Sequence, residues 1–482
     1  MRRLLPLLLL LPLAGCALLP TQEGPPPREI ARPPLPNCSQ AMDDPQYWSN
    51  KYLFQDQMLL TPEQISALNR QNFNRGLLTD VFSGELWRMP AWESAWGELN
   101  QAEDSNENPS LPGRGLQGYT LYTYLKDETE RIKRRPRWAE DGQPVPDERF
   151  AELDRNLNLY GLRENNPVRY GLTRRRTDVR YYPTDQVIAG QRWETDFDIV
   201  QVSSVPAFQP VAILHTSQDQ EWVFAVTAYC RGWIKRCDVV EGCAPSVLRA
   251  FSQPSQFVVV TGHAVEALEA PGNTAVAERL YLGTVCPLLE RTEAYYVLAL
   301  PGSVSAGQPK IRKAYLPRSA DVSESFLAFT PRTLWQLVFK LLHQPYSWGG
   351  RGEYRDCSQL IMDVFAAMGL NLPRNSSAQS LVGVQRLSMP AGLSAEERSR
   401  QLDRLNQPAL LQFPGHIMLY LGRDNGRHYV IHDIWSFRRG QVSGKDRKVI
   451  IGQVVVSDLS LGEGSSKGSL LERITTVNLL QP

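Results

Sequence analysis

Pro345-Tyr346-Ser347-Trp348-Gly349-Gly350, then Asp356-Cys357-Ser358, then Leu360, Ile361, Val364, Phe365 and Met368: in this stretch a tight glycine-containing run meets a helix. The apolar spacing after Cys357 has helical period. The helix therefore starts near Cys357, with Asp356 suited to the N-cap. Unpaired backbone N–H groups in a first helical turn favour negative charge, so a thiol placed there is expected to have a lowered pKa and to serve as a nucleophile. The Gly349-Gly350 pair lets backbone approach a substrate closely.

The second half of the pattern lies at Gly415-His416-Ile417-Met418-Leu419-Tyr420-Leu421-Gly422 and Arg427-His428-Tyr429-Val430-Ile431-His432-Asp433, two β runs around Asp424-Asn425-Gly426. A three-residue hairpin loop ending in a left-handed Gly fits this trio and pairs Arg423 with Arg427. In that register His416 lies opposite Ile434, with His432 as its diagonal neighbour on the same face. A two-residue loop would put the histidines on opposite faces. One imidazole can then activate Cys357 while the other orients the first. A lone buried Cys or strand His is ordinarily packing, and it is the order and spacing of the set that point to chemistry. Cys357, His416 and His432 are also zinc-type ligands, but no Cys/His pairing of the usual structural kind accompanies them, so neither metal nor cofactor is expected.

Over 328–482 these residues resemble the NlpC-type cysteine peptidases of bacterial cell walls, which have a circularly permuted papain-like fold. The resemblance rests on the Pro-Tyr-x-Trp-Gly-Gly run, Asp-Cys-Ser at a helix start, Leu372-Pro373-Arg374-Asn375-Ser376 after that helix, and His416 opening a strand that ends Tyr-Leu-Gly. It implies Cys357 as nucleophile, His416 as general base and then acid, and His432 as the polar third residue. It also implies Tyr346, Asp356 and Ser358 around the substrate's free amino end and the oxyanion, with Ser376 near the same end. Two departures stand out. Gln359 follows Ser358 where the family usually has Gly, which is expected to crowd the helix start, and the strand reads His-Ile-Met-Leu-Tyr rather than His-Val-Gly-Ile-Tyr.

Upstream, 166–325 consists of short β-type runs separated by turns, which argues for small barrels or sandwiches. Glu221 to Ile234 looks like the middle of a bacterial SH3-like domain, and a second, weaker barrel is expected at about 246–325. In family members with such a domain, a Tyr before its Gly-Trp pair can wall off the pocket; Tyr229 is the nearest match here. The region before it mixes Trp, Tyr and Leu with helix signals such as Thr61-Pro62-Glu63-Gln64, an N-cap followed by Pro at N1 and Gln at N3. A polar break at Glu103–Pro109 and a charged stretch, Lys126–Arg137, read as surface. The expected layout is multidomain α+β. It comprises a leader (1–15), a Pro-rich tether (16–39), a helical stabilising region (40–165), two SH3-like barrels (166–245 and 246–327) and a papain-like peptidase (328–482).

The chain opens with Met1-Arg2-Arg3, a Leu-rich run too short to span a bilayer, and Leu13-Ala14-Gly15-Cys16. This resembles a bacterial lipoprotein signal in which Cys16 becomes the lipidated first residue, an anchor that needs no transmembrane helix. Seven prolines between Pro20 and Pro36 read as a semi-rigid polyproline II spacer. Length and composition fit this picture: 482 residues with 42% hydrophobic content, 11 Trp and 18 Tyr suffice for several cores. Lys plus Arg total 52 against 51 Asp plus Glu, so no basic surface argues for nucleic acid. Besides Cys16 and Cys357 there remain Cys38, Cys230, Cys237, Cys243 and Cys286, and in an exported protein one or two disulfides are expected among the last four, the alternative being reduced, buried thiols. His428 fits an exposed hairpin position, and no partner is evident for His215, His263 or His343.

The resemblance implies a membrane-anchored cysteine endopeptidase acting on peptidoglycan stem peptides such as L-Ala-γ-D-Glu-diaminopimelate. In a Gram-negative cell it would sit at the periplasmic face of the outer membrane, since Ala17 lacks the Asp that often retains lipoproteins inside. The competing readings are an SH3-bearing scaffold lipoprotein without turnover, and an amidase or acyltransferase using the same thiol.

Overall fold

The computed structural model describes residues 24–83, 86, 121–162, 167–441 and 444–480. The leader, Cys16 and the polar break at 103–109 lie outside these residues. No described helix is long and apolar enough to cross a membrane.

Three seven-stranded sheets carry the fold. The first is built from strands between Arg169 and Glu241, and the second from strands between Phe257 and Ser323. The third takes its strands from Gln385 to Leu479 and adds Glu29–Ile30 at its edge. Helices precede the sheets at Pro45–Ser49, Pro62–Asn74, Leu121–Lys133 and Asp147–Asn156. The helix Pro62–Asn74 begins with a reciprocal capping box between Thr61 and Gln64, which satisfies two otherwise orphaned backbone donors.

Between the second and third sheets come the helices Pro331–Phe339 and Cys357–Ala366. Cys357–Ala366, the helix that starts with the expected nucleophile, packs on the strands His416–Asp424 and Arg427–Arg439. One apolar cluster runs without a break through Trp48 and Leu68, Val179 and Ile213 of the first sheet, Tyr229 in a turn between two of its strands, and Val259 of the second. It continues into Cys357, Leu360, Ile361, Ile417 and Ile431. The boundaries legible in the sequence are therefore not breaks in packing.

The spacer expected up to residue 39 ends earlier. Glu29–Ile30 pairs in parallel with Val449–Ile450, Ala31 N–H donates to Ile450 O at 2.8 Å, and Glu29 pairs with Arg439. Leu35 is buried among Phe413, Met418 and Val430, and the Tyr429 hydroxyl donates to Asn37 O at 2.8 Å. An exposed sheet edge offers unpaired N–H and C=O groups, and this segment uses them despite its prolines.

The six described cysteines, Cys38, Cys230, Cys237, Cys243, Cys286 and Cys357, are all free thiols, so the suggested bridges among Cys230, Cys237, Cys243 and Cys286 are not formed. Truncating Leu35 to Ala removes a buried side chain and is expected to cost about 2–5 kcal/mol. Urea unfolding followed by tryptophan fluorescence would show the midpoint fall. A wild-type midpoint in this variant would mean that 24–37 is a loose tether after all.

Candidate active site

The site is assembled where the nucleophile helix meets the start of the strand His416–Asp424. Asp356 caps the helix by accepting from Gln359 N–H at 2.9 Å. Its other oxygen accepts from Gly349 N–H at 3.1 Å, tying the Gly-Gly turn to the cap. Arg374 donates to both oxygens, at 3.0 and 2.7 Å, and to the Ser358 hydroxyl at 2.8 Å. Gly350, at φ +66°, could carry no side chain, since an added Cβ would lie 1.8 Å from Gln359 Oε1. Gln359 thus does not crowd the helix start; it fills the space that Gly350 leaves open, as Gln201 fills the space beside Gly349. Its amide lies 3.0 Å from the Ser204 hydroxyl of the first sheet.

The hairpin corrects the expected turn while keeping its consequence. Asp424 pairs with Arg427, so the loop is the two-residue Asn425-Gly426, with φ of +45° and +81° as a type I′ turn requires. Alone, that turn would separate the histidines. The register then shifts between Tyr420 and Gly422, a bulge that leaves one residue unpaired and flips the faces back. Leu419 pairs with Ile431, and continuing this register sets His416 across from Ile434. The imidazoles meet, with His416 Nε2 to His432 Nδ1 at 2.8 Å and His432 Nε2 to the Ser457 hydroxyl at 3.0 Å.

Which ring nitrogens carry protons follows from the tautomers of the two imidazoles. If His432 donates to Ser457, its Nδ1 accepts from His416 Nε2–H, and His416 Nδ1 is left unprotonated as a base. The Ile417 backbone N–H, next to His416, is the one backbone group that acts to lower the Cys357 pKa among the influences on it from the described residues.

The electrostatics overturn one expectation. Cys357 is 8% exposed, and its pKa is pushed up to about 12, first by burial and then by the Asp356 charge, against the opposing Ile417 N–H and Arg374. Burial outweighs the helix terminus, because desolvation disfavours the charged form. Burial likewise lowers His416 to about 3 and puts His432 well below its ordinary range. The resting pair is a neutral thiol and neutral imidazoles. Asp433 is fully buried, neither of its oxygens has a hydrogen-bond partner among the described residues, and burial pushes its carboxyl pKa well above the usual carboxylate value.

The other expected residues fall around this centre. Tyr346 packs against Trp435 and Phe197 at ring-centroid distances of 5.9 and 6.3 Å, and its phenol pKa is raised by burial and next by the Cys357 charge. Ser376 is buried at the start of the short helix Ser376–Gln379, whose Gln379 donates to Ser358 O at 2.8 Å. Tyr229 is buried in the same apolar cluster as Cys357, and its hydroxyl donates to Ser204 O at 3.0 Å.

His428 is not exposed; it is buried between the Tyr420 and Ser399 hydroxyls, at 2.8 and 2.9 Å. His215 bonds to Asn158 O at 2.9 Å and His343 lies 3.4 Å from Asp43. His263 meets Arg355, two residues before the nucleophile, at 3.0 Å. Sequence reasoning gave no role to Gln201, Ser203, Ser204 and Arg176, which carry the first sheet's contacts to this site. No local pattern marks them, because their partners lie about 150 or more positions away. Among the described residues no group of three or more His, Cys, Asp and Glu is placed to hold a metal ion.

Residues 343–439 match the NlpC/P60 family and residues 190–235 match the SH3 domain (SH3b1 type); the chain carries both domains. No curated protein matches the chain. Among solved structures, it is similar to an NlpC/P60 endopeptidase from Photobacterium damselae subsp. piscicida, with 17% identity, 94% of this chain and 98% of that chain covered, and a TM-score of 0.70. It also matches an NlpC/P60 family protein from Bacillus cereus ATCC 10987, with 15% identity, 65% of this chain and all of that chain covered, and a TM-score of 0.45. The first likeness establishes a shared fold over nearly the whole chain.

A neutral resting thiol makes a kinetic prediction. Iodoacetamide alkylation of Cys357, followed by peptide mass mapping, is expected to keep rising from about pH 7 to 9.5, since only the thiolate reacts. A plateau reached below pH 7 would reveal a preformed thiolate–imidazolium pair instead.

Proposed function

We propose that the protein is a cell-wall cysteine endopeptidase that hydrolyses the γ-D-glutamyl-diamino acid bond of peptidoglycan stem peptides bearing a free N-terminal L-Ala. The observation that carries this reading is the His416–His432–Ser457 relay beside a helix-start cysteine, within a chain carrying the NlpC/P60 domain. Cys357 Sγ attacks the γ-carbonyl as His416 Nδ1 takes the thiol proton. The imidazolium that forms keeps its Nε2–H on His432. The C–N bond then breaks, His416 protonates the departing amine, and a thioester remains. Water, deprotonated by His416, hydrolyses the thioester and restores the thiol. The raised thiol pKa fits this order, in which proton transfer accompanies attack rather than preceding it.

Preference for short stems with a free amine is supported by how closely the first sheet lies on the site: Ser204 meets Gln359 at the helix start, Gln201 meets Gly349 of the Gly-Gly turn, and Tyr229, bonded to Ser204 O, shares the apolar cluster of Cys357. Lipid anchoring through Cys16 belongs to the same proposal and rests on the leader alone.

The test is mass spectrometry of the chain from residue 24 onward, since cutting at 36 would strip the edge strand. It is incubated with L-Ala-γ-D-Glu-diaminopimelate and with the N-acetylated peptide. Release of L-Ala-D-Glu from the free peptide is expected, with none from Cys357→Ala. His432→Ala should lower kcat by about 10²-fold or more, the scale of general acid–base catalysis. Cleavage of both peptides would keep the peptidase and remove the amine requirement, whereas no cleavage of either or of whole peptidoglycan would favour a scaffold.

A further inference from the structure

We propose that Arg374 is a positioning residue that makes the first sheet part of the catalytic unit, by holding Asp356 and Ser358, on either side of the nucleophile, against Ser203 of that sheet. Arg374 is 5% exposed, and its guanidinium makes four bonds. Nε donates to the Ser203 hydroxyl at 2.7 Å, Nη1 to Asp356 and Ser358 at 3.0 and 2.8 Å, and Nη2 to Asp356 at 2.7 Å.

Burying a guanidinium is costly unless its donors are used in good geometry, so this position demands all three partners together. One comes from the sheet and two from the nucleophile's own turn. Both Asp356 oxygens are already engaged by Arg374 and by the Gln359 and Gly349 N–H groups.

The surrounding seam is continuous with it. Gln201 donates to Gly349 O at 3.3 Å, Arg176 donates to the carbonyls of Gly350, Gly352 and Tyr354 at 2.8–3.0 Å, and Ser204 meets Gln359. Every turn of backbone that leads into Cys357 is thus gripped from the first sheet. Asp356, Asp433 and Arg374 act on the thiol, which in turn acts on Tyr346, and among these influences from the described residues Arg374 is the cation.

The clamp does not depend on which bond is cleaved; its kinetic arm rests on the peptidase reading. Arg374→Met removes the cation and leaves Asp356 uncompensated. Iodoacetamide alkylation of Cys357 at fixed pH should slow about tenfold, the equivalent of one unit in thiol pKa, and Arg374→Lys should recover part of that rate. Ser203→Ala keeps the charge but cuts the link to the sheet. It should leave alkylation within about twofold while speeding hydrogen exchange of the Gln359 amide and lowering kcat on the tripeptide about three- to tenfold at unchanged KM.

A wild-type alkylation rate in folded Arg374→Met, or wild-type exchange and kcat in Ser203→Ala, would overturn the proposal. If Arg374→Met does not fold, Arg374→Lys and Ser203→Ala decide. Because alkylation and exchange need no substrate, failure of the peptide assay alone would strike only the peptidase reading.

Discussion

A buried carboxylate at the head of a helix is the constraint around which the rest of the molecule is arranged. Asp356 must cap the nucleophile helix, and its charge cannot stay uncompensated in the interior. The solution is a bidentate guanidinium supplied by Arg374, which lies after the helix in sequence yet returns to its first turn. An arginine fork matches a carboxylate in plane and spacing where a lysine offers only a point charge. Once Arg374 is buried there, its remaining donor needs an acceptor, and Ser203 provides it from another sheet. A local capping requirement thereby becomes a requirement on domain placement. The unbroken apolar cluster around the same point supplies the packing that holds the seam closed.

The histidine relay rests on a second, independent constraint. Strand side chains alternate faces, so one residue of slip separates His416 from His432. The chain uses a turn that by itself gives the wrong parity and restores it with a bulge at Leu421. The type I′ turn matches the twist of the strands, and the bulge can sit where pairing tolerates it, between the turn and the catalytic end. The expected three-residue loop reached the same pairing of His416 with Ile434 because both routes insert one residue.

What was legible in the sequence is what short-range physics decides. The Asp356 cap, the period of Leu360, Ile361, Val364 and Phe365, and the closeness of the two histidines all follow from neighbours within about twenty residues. What was not legible depends on partners far along the chain. Glu29–Ile30 sits among prolines and reads as spacer, yet an open edge at Val449–Ile450 recruits it. His428 lies beside a turn and reads as exposed, yet Ser399 and Tyr420 enclose it. The thiol shows the same limit, since a helix start argues for a low pKa while only the fold reveals that burial dominates.

That last reversal bears on how the site keeps its reactivity in check. A thiol held neutral at rest, beside imidazoles too desolvated to charge, is a poor target for adventitious oxidation or alkylation, because both act on the thiolate. Reactivity then has to be created by whatever meets the sulfur. A carbonyl placed beside the sulfur makes loss of the thiol proton productive, and the charge that appears on His416 is shared with His432 and Ser457 rather than solvated by water. The buried Asp433 fits the same scheme. Burial disfavours its ionised form, and an ionised carboxylate there opposes formation of the thiolate. The low-dielectric interior that raises the thiol pKa also strengthens each of these interactions once charge develops, so the burial that silences the resting nucleophile is the condition for its action.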